Sequence, residues 1–239
     1  MSASKVSFIL DGVEIEAEEG MTILEAADAA GIYIPRLCYH PDLLPGGHCR
    51  ICTVKVNGRH VNSCTMTVGK GMVVENDTPE LNAQRRRIIE MMFVEGNHFC
   101  PFCEASGSCE LQATAYRLGM TAPTDPYFHP RRAVDGSHPD VFIDRNRCIL
   151  CGRCVEASRT LDGKSVFAFV GRGINTELAV DSEAGLGGTR MEAVDRAARI
   201  CPTGCLMVKR LGYRIPYGRR RFDAEPIGSD IEGKRKSHG

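Results

Sequence analysis

The sequence predicts an α+β protein built from small metal-centred units, and three observations carry that expectation. The 12 cysteines of the 239-residue chain fall into three bursts. Two-residue hairpin turns and helix-capping signals separate and flank those bursts. A hydrophobic fraction of 43% with 25% charged residues is ordinary for a globular chain and disfavours wholesale disorder. The 30 Lys and Arg balance 30 Asp and Glu, so a dedicated nucleic-acid binder with its basic excess is not expected. No apolar run approaches the roughly 18 residues of a spanning helix. The start, Met1 to Asp11, meets an acid before a leader-type apolar region develops, so a cytoplasmic protein is expected. Cysteines there are kept reduced, which makes metal ligation rather than disulfide bonding the leading use of the thiols.

In chain order, Lys5 to Leu10 suits a strand, Asp11-Gly12 a two-residue turn and Val13 to Ala17 the returning strand. Thr22 followed by Glu25 is a capping box for a helix from Ile23 to Ala30, which Gly31 ends. Thr53 to Val56 and His60 to Cys64 flank Asn57-Gly58, a strong hairpin signal, and Met72 to Glu75 closes the sheet. This order resembles the β-grasp arrangement of plant-type ferredoxins, with residues 1–78 as one domain. Thr78 caps a helix with Pro79 at its first position; Leu81, Ile88, Ile89 and Met92 recur at helical spacing, while Arg85, Arg86 and Arg87 crowd one turn. That helix leads a small segment, 79–119, into the second cysteine burst. Residues 120–139, rich in Pro, Asp and His, read as an irregular connection.

A third region, 140–212, resembles half of a bacterial ferredoxin. Val141 to Asp144 is a short strand and a helix begins near Val155. Gly185, Gly187 and Gly188 mark a loop, and Thr189 with Glu192 predicts a capped helix ending at Ile200. The tail, 213–239, has a basic excess and little periodicity, and reads as an extended arm.

Cys38-x10-Cys49-x2-Cys52-x11-Cys64 supplies the four thiolates of a 2Fe-2S cluster, and Pro45-Gly46-Gly47 lets backbone pass close to inorganic sulfide. A four-thiolate zinc site is the alternative, although zinc ribbons usually offer two Cys-x2-Cys steps and this segment has one. The second burst, Cys100-x2-Cys103-x5-Cys109, is one ligand short of a 4Fe-4S site. His98 is the candidate fourth ligand, since neutral imidazole can replace thiolate on iron; a lone histidine otherwise reads as a core or surface side chain. Cys148-x2-Cys151-x2-Cys154 with Cys201-Pro202 downstream is a 4Fe-4S signature. Cys205 competes with Cys201, but the proline favours Cys201 and leaves Cys205 as a buried apolar residue.

Residues 1 to about 212 resemble the N-terminal iron-sulfur module of the complex I large subunit and of iron-only hydrogenases. In those families the middle cluster has one histidine and three cysteine ligands, with the histidine usually four residues before the first cysteine; His98 lies two before Cys100. The chain shows no Gly-x-Gly-x-x-Gly opening a helix after a strand, no phosphate-binding Gly-x4-Gly-Lys-Ser/Thr and no His-Glu-x-x-His. Gly171-Arg172-Gly173 is too short to count. An electron carrier with no catalytic site of its own is therefore expected.

The chain stops soon after the third burst instead of continuing into a complex I or hydrogenase catalytic region. With Glu95-Gly96-Asn97-His98 and Gly212-Tyr213-x3-Pro216-x-Gly218-Arg219-Arg220, it resembles the small diaphorase subunits of soluble NAD-reducing nickel-iron hydrogenases. That resemblance implies one 2Fe-2S and two 4Fe-4S clusters here. It implies FMN and NAD(P) on a flavin-bearing NAD(P)H-oxidising diaphorase partner, and a nickel-iron centre in partnering small and large hydrogenase subunits. H2 oxidation would be coupled through this chain to NAD(P)+ reduction. Arg219, Arg220 and Arg221 then either grip a partner or lie solvated. The alternatives are the equivalent subunit of a soluble NAD-dependent formate dehydrogenase or a complex I-like enzyme and, from another class, a zinc-stabilised interaction scaffold.

Overall fold

A computed structural model describes residues 4–128 and 130–236. Strands β1 (Lys5–Leu10) and β2 (Val13–Glu18) pair antiparallel, with Leu10 opposite Val13. Both turn residues, Asp11 and Gly12, have positive φ of 50° and 79°, as a twist-matched hairpin requires. Helix α1 (Ile23–Ala29) starts on the expected capping box: Thr22 Oγ1 accepts the Glu25 amide at 3.2 Å and the Glu25 carboxylate accepts the Thr22 amide at 2.8 Å. Strands β3 (Thr53–Val56) and β4 (Arg59–Asn62) form the Asn57-Gly58 hairpin, and β5 (Val73–Glu75) completes a sheet ordered β2-β1-β5-β3-β4. The β1–β5 pair is parallel and the others antiparallel. Strand β4 starts and ends earlier than its expected His60–Cys64 range, because the tight turn pairs Arg59 directly with Val56. Cys64 thereby falls in the turn after the strand, outside the ladder. Phe8, Leu10, Ile15, Ile23, Leu24, Val54 and Val74 make the core between this sheet and α1.

Helix α2 (Pro79–Glu95) begins on Thr78, whose hydroxyl accepts the Leu81 amide at 3.2 Å. Its three adjacent arginines have separate fates. Arg85, only 2% exposed, spends all five donors on oxygens: Ile51 O, Thr53 O, Asn76 O and the side chains of Asn76 and Asn82. Burial lowers its pKa to about 10, so the ion still persists at neutral pH. Arg86 donates to Leu118 O, and Arg87 pairs with Glu90 and Asp125. Helix α3 (Glu110–Arg117) follows the second cysteine burst, N-capped by the Cys109 sulfur. The sequence reading does not anticipate it, although Leu111, Ala115 and Leu118 have helical spacing and Gly119 marks a stop.

The described residues of 120–139 are irregular except for β6 (Val134–Asp135), which pairs with β7 (Val141–Asp144). Helix α4 (Arg153–Thr160) starts two residues before the expected Val155, because Gly152 in the left-handed region (φ 79°) lets the chain turn into it directly after Cys151. Strands β8 (Phe167–Val170) and β9 (Glu177–Val180) form an unexpected hairpin, with Gly171-Arg172-Gly173 in its connection. The helix expected from Thr189 to Ile200 does not form; turns take its place. Asp195 accepts the Glu192 amide at 2.8 Å and Asp162 accepts those of Arg196 and Ala197 at 2.9 and 3.0 Å. Carboxylates supply partners that a helix would have found in its own carbonyls. Glu192 meanwhile pairs with Lys164 instead of closing a capping box. Strand β10 (Leu206–Val208) completes the order β10-β7-β6.

The tail is not an extended arm within the described residues. It carries helix α5 (Ser229–Lys236), and Ile227 and Ile231 pack with Tyr33 and Ala113, with Phe222 alongside. Arg117 donates to Ile227 O at 2.9 Å and pairs with Glu232, while the Phe222 amide donates to Gly107 O at 2.8 Å. Arg220 points inward, donating to Ser106 O at 3.1 Å and pairing with Asp223; Arg219 is exposed. Residues 237–239 lie outside the described residues. Each buried isoleucine is worth about 1.5–3 kcal/mol, so truncation after residue 212 is expected to lower the melting temperature of the isolated chain. A truncated chain that melts with the full-length one would refute this clamp.

Candidate metal centres

The first cysteine group lies on loops and turns outside the strands of the β-sheet. Its thiols are in contact as two pairs, Cys38 with Cys49 and Cys52 with Cys64, with a further contact between Cys38 and Cys64. Two irons bridged by sulfide need two thiolates each, and these four thiols gathered in one place supply that number. The Cys38 amide donates to Cys49 Sγ at 3.4 Å, and the Arg85 guanidinium holds Ile51 O between the two central cysteines. In the thiol form Cys38 is the acidic member, its pKa lowered by hydrogen bonds from Cys49 and Cys64, whereas Cys49 and Cys64 are raised, first of all by those same bonds. At Gly46 the side chain of His48 crowds the backbone.

In the second group Cys100, Cys103 and Cys109 share one electrostatic neighbourhood, and burial pushes Cys109 up to about 12. His98 has a buried Nε2 with no hydrogen-bond partner, and its ring lies against Phe93 at 5.3 Å between centroids. Burial, aided by the nearby Arg147 charge, pulls its pKa down to about 4, so the imidazole is neutral at neutral pH. A neutral imidazole with an orphaned buried nitrogen is a fit donor for iron. The His98 carbonyl accepts the Cys100 amide at 2.9 Å, which folds histidine and cysteine into one tight turn. Phe99 and Phe102 stack on each other at 5.1 Å beside Cys100 and stay exposed.

The third group is arranged differently. Cys151 and Cys154 feel the charges of Cys148 and Cys201, and all four thiols line one void. Cys205 is in hydrogen-bonding contact with both Cys148 and Cys201, and all five line one small apolar void. That bond lowers Cys201 to about 6. Among the described residues no three His, Cys, Asp or Glu side chains are placed to hold a single ion.

Members of all three groups pack together: Cys38, Cys49 and Cys151 share one core cluster, with Cys100 and Cys109 against it. A Cβ at Gly152, between Cys151 and Cys154, would lie 3.3 Å from Nε2 of His48, the neighbour of Cys49. A Cβ at Gly204 would lie 2.7 Å from Cys103 Sγ. The Asn97 amide donates to Asn146 O at 2.7 Å and the Glu110 amide to Pro202 O at 2.8 Å, tying the second group to the third on both sides.

One buried side chain joins all three. Arg153, 3% exposed, donates to both oxygens of Glu110 at 3.1 and 2.7 Å, to Tyr39 O at 2.8 Å and to Ile200 O at 3.5 Å. Tyr39, Glu110 and Ile200 each adjoin a candidate ligand: Cys38, Cys109 and Cys201. Sequence reasoning passes over Arg153, which reads as a spacer beside cysteines and carries no local signal of its own.

Three family descriptions match in sequence: a 2Fe-2S iron-sulfur cluster binding domain over residues 3–79, the NADH-ubiquinone oxidoreductase-G iron-sulfur binding region over 85–123, and a 4Fe-4S single cluster domain over 141–208. The chain is 40% identical over 233 residues to the gamma subunit of the NAD-reducing hydrogenase HoxS of Cupriavidus necator, covering 97% of this chain and 99% of that one. It is 32% identical over 237 residues to the mitochondrial NADH-ubiquinone oxidoreductase 78 kDa subunit of Candida albicans, covering 95% of this chain but spanning only 32% of that relative. A chain in the crystal structure of an NAD+-reducing [NiFe]-hydrogenase in the H2-reduced state superposes with a TM-score of 0.92 at 48% identity, covering 97% of this chain and 99% of that one. No helix among the described residues is long and apolar enough to cross a membrane. A chain with one 2Fe-2S domain and two 4Fe-4S regions, alike over nearly its whole length to such a subunit, belongs to the gamma-subunit family of NAD-reducing hydrogenases.

Proposed function

We propose that this chain conducts electrons through three iron-sulfur clusters between a flavin-bearing NAD(P)H diaphorase subunit and the small and large subunits of a nickel-iron hydrogenase, in the cytoplasm. Cys38, Cys49, Cys52 and Cys64 hold the 2Fe-2S cluster. His98, Cys100, Cys103 and Cys109 hold one 4Fe-4S cluster, and Cys148, Cys151, Cys154 and Cys201 hold the other. The observation that supports the reading is that Cys38, Cys49 and Cys151, with Cys100 and Cys109 packed against them, belong to one core cluster, so members of all three groups lie together in the protein. Each cluster supplies a one-electron carrier when bound. The chain's own residues fix the ligands, exclude water and set the charge around them.

The matches to a 2Fe-2S cluster binding domain and a 4Fe-4S single cluster domain support iron-sulfur clusters over a zinc scaffold. Iron content tests this directly. The anaerobically purified chain is expected to be brown, with about ten irons and no stoichiometric zinc. About three zincs and no colour would sink the reading. Co-purification of flavin-bearing and nickel-containing subunits tests the partners; a molybdenum- or tungsten-containing partner would favour the formate dehydrogenase alternative.

A further inference from the structure

We propose that Cys205 is a non-ligating thiol whose S–H group hydrogen-bonds the sulfurs of Cys148 and Cys201 and thereby raises the reduction potential of the cluster they hold. The inference rests on the ligand assignment above and extends it to a fifth cysteine.

Position comes first. The Asp144 amide donates to Cys205 O at 2.7 Å, and the Cys205 amide donates to Thr203 Oγ1 at 3.3 Å. The following residues, Leu206–Val208, are held in the sheet by β7. The backbone of Cys205 is therefore pinned, and its side chain, 2% exposed, faces the same void as the four candidate ligands. Of the thiols lining that void, Cys148 and Cys201 are the two its own bonds with.

The chemistry follows from which donors are free. Four thiolates complete a cubane's external ligation, so a fifth buried thiol keeps its proton in apolar surroundings. Thr203 Oγ1 lies 3.5 Å from Cys201 Sγ, but its one hydrogen goes to Arg147 O at 2.9 Å. Against thiolate ligands the hydroxyl has no hydrogen left to donate. Backbone amides contribute, as from Leu150 to Cys148 Sγ at 3.4 Å. Cys205 adds a side-chain donor shared between two ligands. A reduced cluster carries one more electron, spread partly onto its sulfurs, so a donor aimed at those sulfurs stabilises the reduced form.

The test is a redox titration of the full chain followed by EPR, with iron analysis, on Cys205→Ala and Cys205→Ser. In Cys205→Ala iron should remain at about ten per chain, while the ratio of reduced to oxidised cluster at a fixed ambient potential falls several-fold. Cys205→Ser keeps a donor of similar size, so its ratio should match or exceed that of the unmodified chain. Equal ratios in Cys205→Ala and the unmodified chain overturn the proposal. So does an equal fall in both variants, which would mark a packing effect. Loss of about four irons in Cys205→Ala, with Cys201→Ala retaining them, would overturn the ligand assignment as well, since Cys205 would then be the ligand.

Discussion

Replacing His98 with alanine is expected to abolish the middle cluster, lowering iron by up to about four per chain and removing one reduced-state EPR signal. The reason is the count of donors. Cys100, Cys103 and Cys109 are three thiols, and the side chain available to make four is an imidazole with a buried, unpartnered nitrogen. Histidine two residues before the first cysteine, rather than four, shares one tight turn with it, the His98 carbonyl accepting the Cys100 amide. Thiolate in place of imidazole lowers a cluster's potential. His98→Cys, where it assembles, should therefore restore iron and give a more negative midpoint. Unchanged iron and an unchanged spectrum in His98→Ala would remove His98 from the ligand set.

Replacing Arg153 with methionine should destabilise the chain by about 3–5 kcal/mol, because it leaves the largely buried Glu110 carboxylate with only the exposed Arg221, at 3.4 Å, and two loop carbonyls without their partner. For a chain of this size that corresponds to a fall in melting temperature on the order of 10 °C. The loss should be shared by all three cluster regions, since the guanidinium bonds beside Cys38, Cys109 and Cys201. Adding Glu110→Gln to Arg153→Met removes a charge that Arg221 alone compensates poorly and should recover part of the loss. Thermal unfolding of the loaded chain, followed by cluster absorbance as well as by circular dichroism, checks both statements. A melting temperature within about 2 °C of the unmodified chain would show that Arg153 is not the keystone described.

Much of the β-grasp region was legible in the sequence because its signals are local. Asn57-Gly58 and Asp11-Gly12 specify turns through the φ values their own residues tolerate, and Thr22 with Glu25 closes a capping box within four residues. The same kind of signal misled at Thr189 and Glu192. There Lys164, Asp162 and Asp195 offered stronger partners than a short helix could, and Lys164 and Asp162 lie far from the residues they hold in sequence. The docked tail was missed for a related reason. Ile227 and Ile231 find their apolar partners in Tyr33 and Ala113, which no periodicity within the tail reveals.

The three arginines of α2 make the limit concrete. As a sequence they are one basic turn; in the fold one is fully buried, one binds a distant carbonyl and one forms ion pairs near the surface.

Ligand type, ligand number and division into three groups were written in the chain, because thiol chemistry belongs to individual residues and a short Cys-x2-Cys spacing constrains its own loop. Packing settled that Cys205 lines the same void as Cys148, Cys151, Cys154 and Cys201, and that members of all three groups share one core cluster. Those properties depend on contacts such as that from Arg153 to Tyr39, 114 residues apart, where only the folded chain brings donor and acceptor together.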